Sequence, residues 1–252
     1  MSIDVANTST TRVAGLFEEH VDPGRAEAPA IEAPAIELHG AGVSASRGAV
    51  FGPISAVSDR PVTVVRGARG TGRTSLLLAI SGRMRLDRGT VATLGESHLA
   101  DIRRLTGIVG FAEIDALEPA VTVGATLRER LSWAMPWYRR TPRMTPELCA
   151  ELLSEAFGHG EATSVAQPDP ETLVRELDPA QEMLLRVALA LIEGPEMLVL
   201  DDFDALRDPA ERKLVAERLS ALARRGIRIV LSTSDLGDAA LFARLDPALI
   251  EL

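Results

Sequence analysis

The sequence predicts an α/β fold in which a mostly parallel sheet is covered by helices on both faces. Three observations carry that expectation. Short apolar, β-branched segments alternate with helical patterns along most of the chain. A glycine-rich bend, "RGARGTGRTS" from Arg66 to Ser75, joins one such segment to a helix. About 130 residues later a second apolar segment, "MLVLDD", ends in two carboxylates.

Residues 1–35 are poor in aromatics and run into a pentapeptide repeat, "EAPAIEAPAIE" (Glu27 to Glu37). Spaced prolines forbid a continuous helix and little can be buried, so this is a tail and linker, or an arm that a partner orders. Structured pattern begins at Ile36. "AVFGPISAV" and "RPVTVVRG" read as strands, "TSLLLAISGRM" (Thr74 to Met84) as a mostly buried helix. "RGTVATLG" and "RLTGIVGF" (Arg104 to Phe111) read as further strands. From about Ala112 to Leu177 the chain becomes mainly helical, and Thr145 and Pro146 suit an N-cap and first helical position. Then come a helix ("PAQEMLLRVALALI"), the strand "MLVLDD", an amphipathic helix ("PAERKLVAERLSALARRG") and the strand "IRIVLSTSD". One domain over 36–252, with a helical subdomain near 112–178, is the expected organisation.

Composition narrows the function classes. The chain has 252 residues and a net charge of −9, which argues against nucleic acid as the main partner. A single cysteine, Cys149, rules out an intrachain disulfide and fits a reducing, cytoplasmic setting. No apolar run is long enough to span a membrane, and "MSIDVANTSTTRV" has no apolar signal core. Work at a membrane would be that of a peripheral subunit. Lys213 is the one lysine among 27 basic residues.

The bend matches G-x-x-x-x-G-K-[ST] except that Arg73 replaces the lysine. Gly67, Ala68, Arg69, Gly70, Thr71, Gly72, Arg73, Thr74 and Ser75 would form the phosphate cradle. Glycines admit the phosphates close to the backbone, amides point inward, and the helix N-terminus adds partial positive charge. Thr74 would give its hydroxyl to Mg²⁺. Arg73 keeps the charge in a wider, planar shape. It also reads as drift in an arginine-biased chain, and the bend as a glycine turn without ligand. At the strand end, Asp201 would hold Mg²⁺ through water, and Asp202 would orient or deprotonate the attacking water. An apolar run ending in Asp-Asp is weak by itself and gains meaning from the loop before it.

These residues, in this order and spacing, resemble the nucleotide-binding domain of the ATP-binding cassette (ABC) family. "LDPAQ" (Leu177 to Gln181) sits where that family has L-S-G-G-Q, and "LRD" ending at Asp208 sits at its D-loop. "GIVGFAEIDALEPAVTV" resembles its Q-loop segment, with Glu113 in place of glutamine. "VLSTSD" resembles its switch strand, with Ser234 in place of histidine. Ser44 to Ser46 stand where an adenine-stacking aromatic belongs, and Phe51 is a late substitute. The resemblance implies a P-loop NTPase fold of ABC type, with a parallel core, an antiparallel β part and a helical subdomain. It also implies ATP and Mg²⁺ as ligands, Glu113 near metal or water, and a homodimer or heterodimer with another such domain. The expected partner is an integral membrane subunit, with this chain cytoplasmic and peripheral at the inner face of the cell membrane.

The departures predict damaged chemistry. Asp178, Pro179 and Gln181 suit an N-cap, first-turn proline and N3 glutamine, a capping box. Such a box occupies amides that the family's signature leaves free for the γ-phosphate, and sets a carboxylate opposite it. At about 4 Å and an effective dielectric near 20, that repulsion is on the order of 4 kcal/mol before screening. Asp202 is one methylene shorter than the family's glutamate, and Ser234 cannot act as a histidine does. The expected function is an ATP-binding subunit with slow hydrolysis, or a non-hydrolysing pseudo-ATPase acting as sensor or scaffold. "RERLSWAMPWYRRTPR" (Arg128 to Arg143) holds both tryptophans and the one tyrosine. Trp133, Trp137 and Tyr138 either form a docking patch or pack the helical subdomain. A cassette acting on DNA or ribosomes fits the acidic charge poorly, and a P-loop kinase lacks an arginine-rich lid.

Overall fold

The computed structural model describes residues 33–252 except 47, 113 and 162. The expected tail and Glu113 therefore lie, wholly or almost so, outside the described residues. Five parallel strands form the central sheet: β3 (Val62–Arg66), β5 (Thr106–Val109), β6 (Met197–Leu200), β7 (Arg228–Thr233) and β8 (Ala248–Glu251). Their order is β5-β6-β7-β3-β8. A three-stranded antiparallel sheet, ordered β2-β1-β4, is built from β1 (Ile36–Ala45), β2 (Gly48–Ser58) and β4 (Arg88–Thr93). Both sheets match the architecture expected from the sequence.

The central strands are apolar because both of their faces are covered. Along β3, Val62 and Val64 point into one core while Val65 enters the other; along β6, Leu198 and Leu200 alternate with Met197 and Val199. The first core holds helices α5 (Pro179–Leu191) and α6 (Pro209–Arg224). In the second, Leu76, Leu77 and Ile80 of α1 (Arg73–Ile80) fill the space between the sheets. A period of two with both faces buried is the mark of a parallel sheet.

Two expectations are adjusted locally. Helix α1 stops at Ile80 because Ser81, Gly82 and Arg83 return their amides to Leu77, Ala79 and Leu78, with Gly82 at φ 70°. The segment read as strand from Arg104 begins as helix α2 (Leu99–Leu105) and turns into β5 only at Thr106. Between β5 and α5 lie α3 (Val123–Ala134) and α4 (Pro146–Phe157), joined by long irregular connections. Thr145 caps α4 as expected, accepting from the Leu148 amide at 3.3 Å, with Pro146 at the first position.

The amphipathic pattern of α6 marks Arg218 only as a polar residue, yet it is wholly buried. Its guanidinium donates to the carbonyls of Ala156 (3.0 Å) and Glu155 (2.9 Å) and to Glu161 Oε2 (2.6 Å). It thereby pins α6 to the end of α4. Gly158 caps that end at φ 73°, and a Cβ there would stand 2.2 Å from the Arg218 guanidinium. Glycine is required both by conformation and by the cation beneath it.

Candidate functional site: a phosphate loop facing three carboxylates

The parallel registers bring four carboxyl ends of strands to one edge. Val65 stands beside Ser232, Leu231 beside Leu200, and Leu200 beside Val109. The residues just beyond β3, β5, β6 and β7 are therefore gathered there, as in open parallel sheets generally. They are the glycine loop, Gly110, the Asp201–Asp202 pair and Ser234.

The loop has the form its glycines predict. Gly67 donates its amide to the Thr233 carbonyl at 3.2 Å, anchoring the loop to β7. Thr71 folds back onto the Ala68 carbonyl through its hydroxyl at 2.9 Å. Gly72 has φ 90°, and a Cβ there would meet the Val50 carbonyl oxygen at 2.4 Å. It is the N-cap of α1, no side chain caps that first turn, and no acidic residue lies in it. An uncapped helix start leaves amide donors free for an anion.

Thr74 Oγ donates to Asp201 Oδ2 at 2.6 Å, so the two residues expected to share Mg²⁺ already face each other. Two hard oxygen donors suit Mg²⁺, which takes one or two carboxylates together with substrate phosphates. Ser232 Oγ donates to the other Asp201 oxygen at 2.5 Å and accepts from the Asp202 amide at 2.9 Å. Sequence reasoning does not single out Ser232. The available signal is a polar residue inside the apolar run of β7.

Arg73 adopts a different position from the one the cradle suggested. Its side chain is 5% exposed and turns onto the carboxylates. Nη2 donates to Asp202 Oδ1 at 2.7 Å, and Nη1 stands 3.5 Å from Asp204 Oδ1. Both Nη1 and that Asp204 oxygen are buried without a hydrogen-bond partner. An orphaned donor of this kind, beside an uncapped helix start, fits a phosphate oxygen as its acceptor.

The acids differ in their electrostatics. Burial raises the Asp202 carboxyl above its usual range, the nearby Asp201 charge adds to this, and Arg73 opposes it. For Asp204 burial also acts upward, but the Ser234 hydroxyl and Arg73 hold it below the usual range. Ser234, expected at the switch position, is exposed and donates to the outer oxygen of Asp204. Asp202 lies in the left-handed region at φ 47°.

The capping box at "LDPAQ" is formed as the residues predicted. Asp178 Oδ1 accepts from the Gln181 amide at 2.7 Å, and Gln181 Oε1 accepts from the Asp178 amide at 3.3 Å. On the same helix Arg186 reaches the Asp115 carbonyl at 2.9 Å, while Asp115 Oδ2 accepts from the Gly110 amide at 2.6 Å. The chain beyond β5 is thus tied to α5. Neither Asp115 nor Arg186 stands out in the sequence.

Two expectations about aromatics are decided here. Phe51 is 4% exposed inside the second core, with its Cβ beside Gly72, so it cannot stack on a base. Trp133, Trp137 and Tyr138 are 67%, 94% and 63% exposed, so they do not pack the helical subdomain. Trp137 and Tyr138 meet edge to face at 6.0 Å. Trp133 lines a groove of about 430 Å³ with Ile114, Leu117, Arg130, Arg186 and Leu189.

A glycine loop between strand and helix, facing paired carboxylates at the carboxyl edge of a parallel sheet, defines a P-loop nucleotide-binding fold. Comparison with known proteins narrows the class. The family model described as ABC transporter matches residues 56–205. The Fe(3+) ions import ATP-binding protein FbpC 3 of Rhodococcus jostii (strain RHA1) is 30% identical over 223 residues, covering 85% of this chain and 58% of the relative. The Nod factor export ATP-binding protein I of Burkholderia orbicola (strain AU 1054) is 31% identical over 176 residues, 69% of this chain and 53% of its own. The chain belongs to the ABC transporter family. It spans less than two thirds of the length of these curated relatives. Among solved structures, cbiO1 from Clostridium perfringens, part of the ABC transporter complex cbiONQ, superposes with a TM-score of 0.64 at 18% identity, covering 84% of this chain and 82% of its own. MJ0796, a dimeric bacterial ABC transporter cassette, gives 0.64 at 17% identity, covering 86% and 94%. These two likenesses establish the fold alone. Among the described residues, no helix is long and apolar enough to cross a membrane.

Proposed function

We propose that this chain is the nucleotide-binding subunit of an ABC-type membrane system, in which ATP occupancy with slow turnover acts on a separate membrane protein. The observation that carries the reading is the 2.6 Å contact between Thr74 and Asp201, which joins the loop to the strand-end carboxylate. The amides of Gly67 to Ser75 hold the phosphates. Thr74 and Asp201 hold Mg²⁺, which supplies charge neutralisation on the phosphates when bound. Asp202 orients or deprotonates the attacking water, and Glu113 adds to metal or water. Ser234, in place of a histidine, adds little.

The same geometry supports slow chemistry. Asp202 is one methylene shorter than the family's glutamate and is held at φ 47°. A water placed about 1 Å off costs on the order of 100-fold in rate. The closed capping box at Asp178 leaves a poor clamp for a second subunit's phosphate, and favours as second reading a nucleotide sensor or scaffold without turnover. The partner in a dimer is another copy or another cassette.

Melting with MgATP tests the reading. Saturation at about 100 times Kd stabilises the native state by about 2.7 kcal/mol and raises Tm. Asp201→Asn should erase the Mg²⁺-dependent part of that rise. An unchanged Tm at millimolar MgATP removes the proposed function. Turnover separates the two readings: Asp202→Asn abolishes any ATPase activity and the coupled function if the chain is an enzyme, and leaves function intact if it is a scaffold.

The exposed Trp137–Tyr138 pair, and the groove that Trp133 lines, support docking of the membrane partner on the helical side. Trp137→Ala should weaken recovery of the chain in the membrane fraction several-fold while leaving Tm within about 1 °C, because the ring is 94% exposed. A clear fall in Tm would instead assign Trp137 to packing.

A further inference from the structure

The least comfortable group in the site is the buried guanidinium of Arg73. One contact is short, to Asp202, whose side chain is 49% exposed. The other is long, to Asp204, which is 10% exposed. Solvent screens the first partner more than the second, so the distant Asp204 exerts the less attenuated pull. Asp204 is itself fixed. It lies in the short turn Phe203–Ala205 just after the strand-end pair, and Ser234 donates to its outer oxygen. Its inner oxygen faces Arg73 Nη1 at 3.5 Å, and neither atom has a hydrogen-bond partner. The two attract without completing a bond. A phosphate oxygen would complete what Asp204 leaves unfinished, and a planar guanidinium fork can engage two acceptors at once.

We propose that Asp204 is a positioning residue that holds Arg73 against the carboxylates in the nucleotide-free protein, so that a nucleotide's phosphates must take Arg73 from it. This rests on the nucleotide-binding reading above and deepens it. Affinity is then set by competition between Asp204 and phosphate for one cation. Once Arg73 moves to the phosphates its bond to Asp202 is also lost, and the carboxylate that handles water becomes free only when the loop is filled. Occupancy and release of Asp202 are one event.

The test is calorimetric titration of the full chain with ATP, and separately with inorganic tripolyphosphate, both with Mg²⁺. Four proteins are compared: wild type, Asp204→Asn, Arg73→Ala and the double variant. Asp204→Asn is expected to bind both ligands about tenfold more tightly, the scale of removing one nearby, partly screened opposing charge. That gain should vanish in the Arg73→Ala background. A merely structural role would not produce this coupling, and simple repulsion between Asp204 and phosphate would leave the gain intact without Arg73. Either an unaltered or weaker Asp204→Asn, or a gain that persists in the double variant, overturns the proposal while wild-type binding keeps the nucleotide reading. Absence of binding in all four proteins overturns both. Should Asp204→Asn not fold, Asp204→Ser carries the same expectation.

Discussion

Gly72→Ala is expected to lower stability by about 3 kcal/mol and to abolish the MgATP-induced rise in Tm. Two costs combine. At φ 90° an L-residue is strained, and the new methyl would stand 2.4 Å from the Val50 carbonyl oxygen and 2.7 Å from the Phe51 Cβ. The first obstacle is backbone of β2 paired to β1, so it cannot swing aside as a flexible side chain could. Relief must come from the loop, whose amides then lose their common direction. Urea unfolding measures the first effect and thermal shift the second. An alanine variant with wild-type midpoint and wild-type response to MgATP would show that the loop is not built as described. Gly70→Ala makes the internal comparison, since its φ is 85° but its Cβ would meet nothing within 4 Å. Strain alone should cost it about 1 kcal/mol.

Arg218→Met is expected to destabilise by about 3 kcal/mol, the scale for leaving buried carbonyls without a donor and removing one partner of a half-buried ion pair. The carbonyls of Glu155 and Ala156 lose their donor, and Glu161 keeps only Arg225. The pH dependence has a definite sign. The Glu161 carboxyl is held below its usual range, first by the Arg218 hydrogen bond, with burial opposing and the Arg218 and Arg225 charges assisting. Its contribution is therefore present above the unfolded carboxylate pKa and is lost as pH falls through the depressed folded value. The deficit of Arg218→Met should be largest near neutral pH and shrink under acid. None of the partners of Arg218 belongs to the phosphate loop, so MgATP should still raise the variant's Tm. A deficit unchanged down to acid pH would remove the ionic part of this account.

Much of the site is legible in residues that act on their near neighbours. Asp178, Pro179 and Gln181 specify a capping box within one helical turn, and the structure contains it. Thr145 and Pro146 specify the start of α4 in the same way. Two of the loop's three glycines, Gly70 and Gly72, take positive φ angles. The meeting of Thr74 and Asp201 is expected once the loop that leaves β3 and the carboxyl end of β6 are placed at one edge of the sheet. Ser232 is less visible because its partner lies 31 residues away in sequence. Strand β8 escapes because four residues, Ala248–Glu251, give too short a pattern until β3 supplies the edge it pairs with. The exposure of Trp133, Trp137 and Tyr138 is undecided by sequence, since aromatic residues serve cores and interfaces alike.

The sequence by itself determined the parallel sheet, the loop that leaves β3, the acidic end of β6 and the closed cap of α5. Each of these depends on local propensity or on a period that the chain carries within a dozen residues. Where Arg73 points was decided only by tertiary structure. Its partners stand 129 and 131 residues further along the chain, and nothing near Arg73 in sequence distinguishes a cation that grips phosphate from one held by carboxylates. Arg218 is the parallel case: a helical face marks it as polar, but only the carbonyls at the end of α4 make burying its charge tolerable. Long-range charge placement is a property of the packed molecule, because the field at a side chain depends on every group that folding brings beside it.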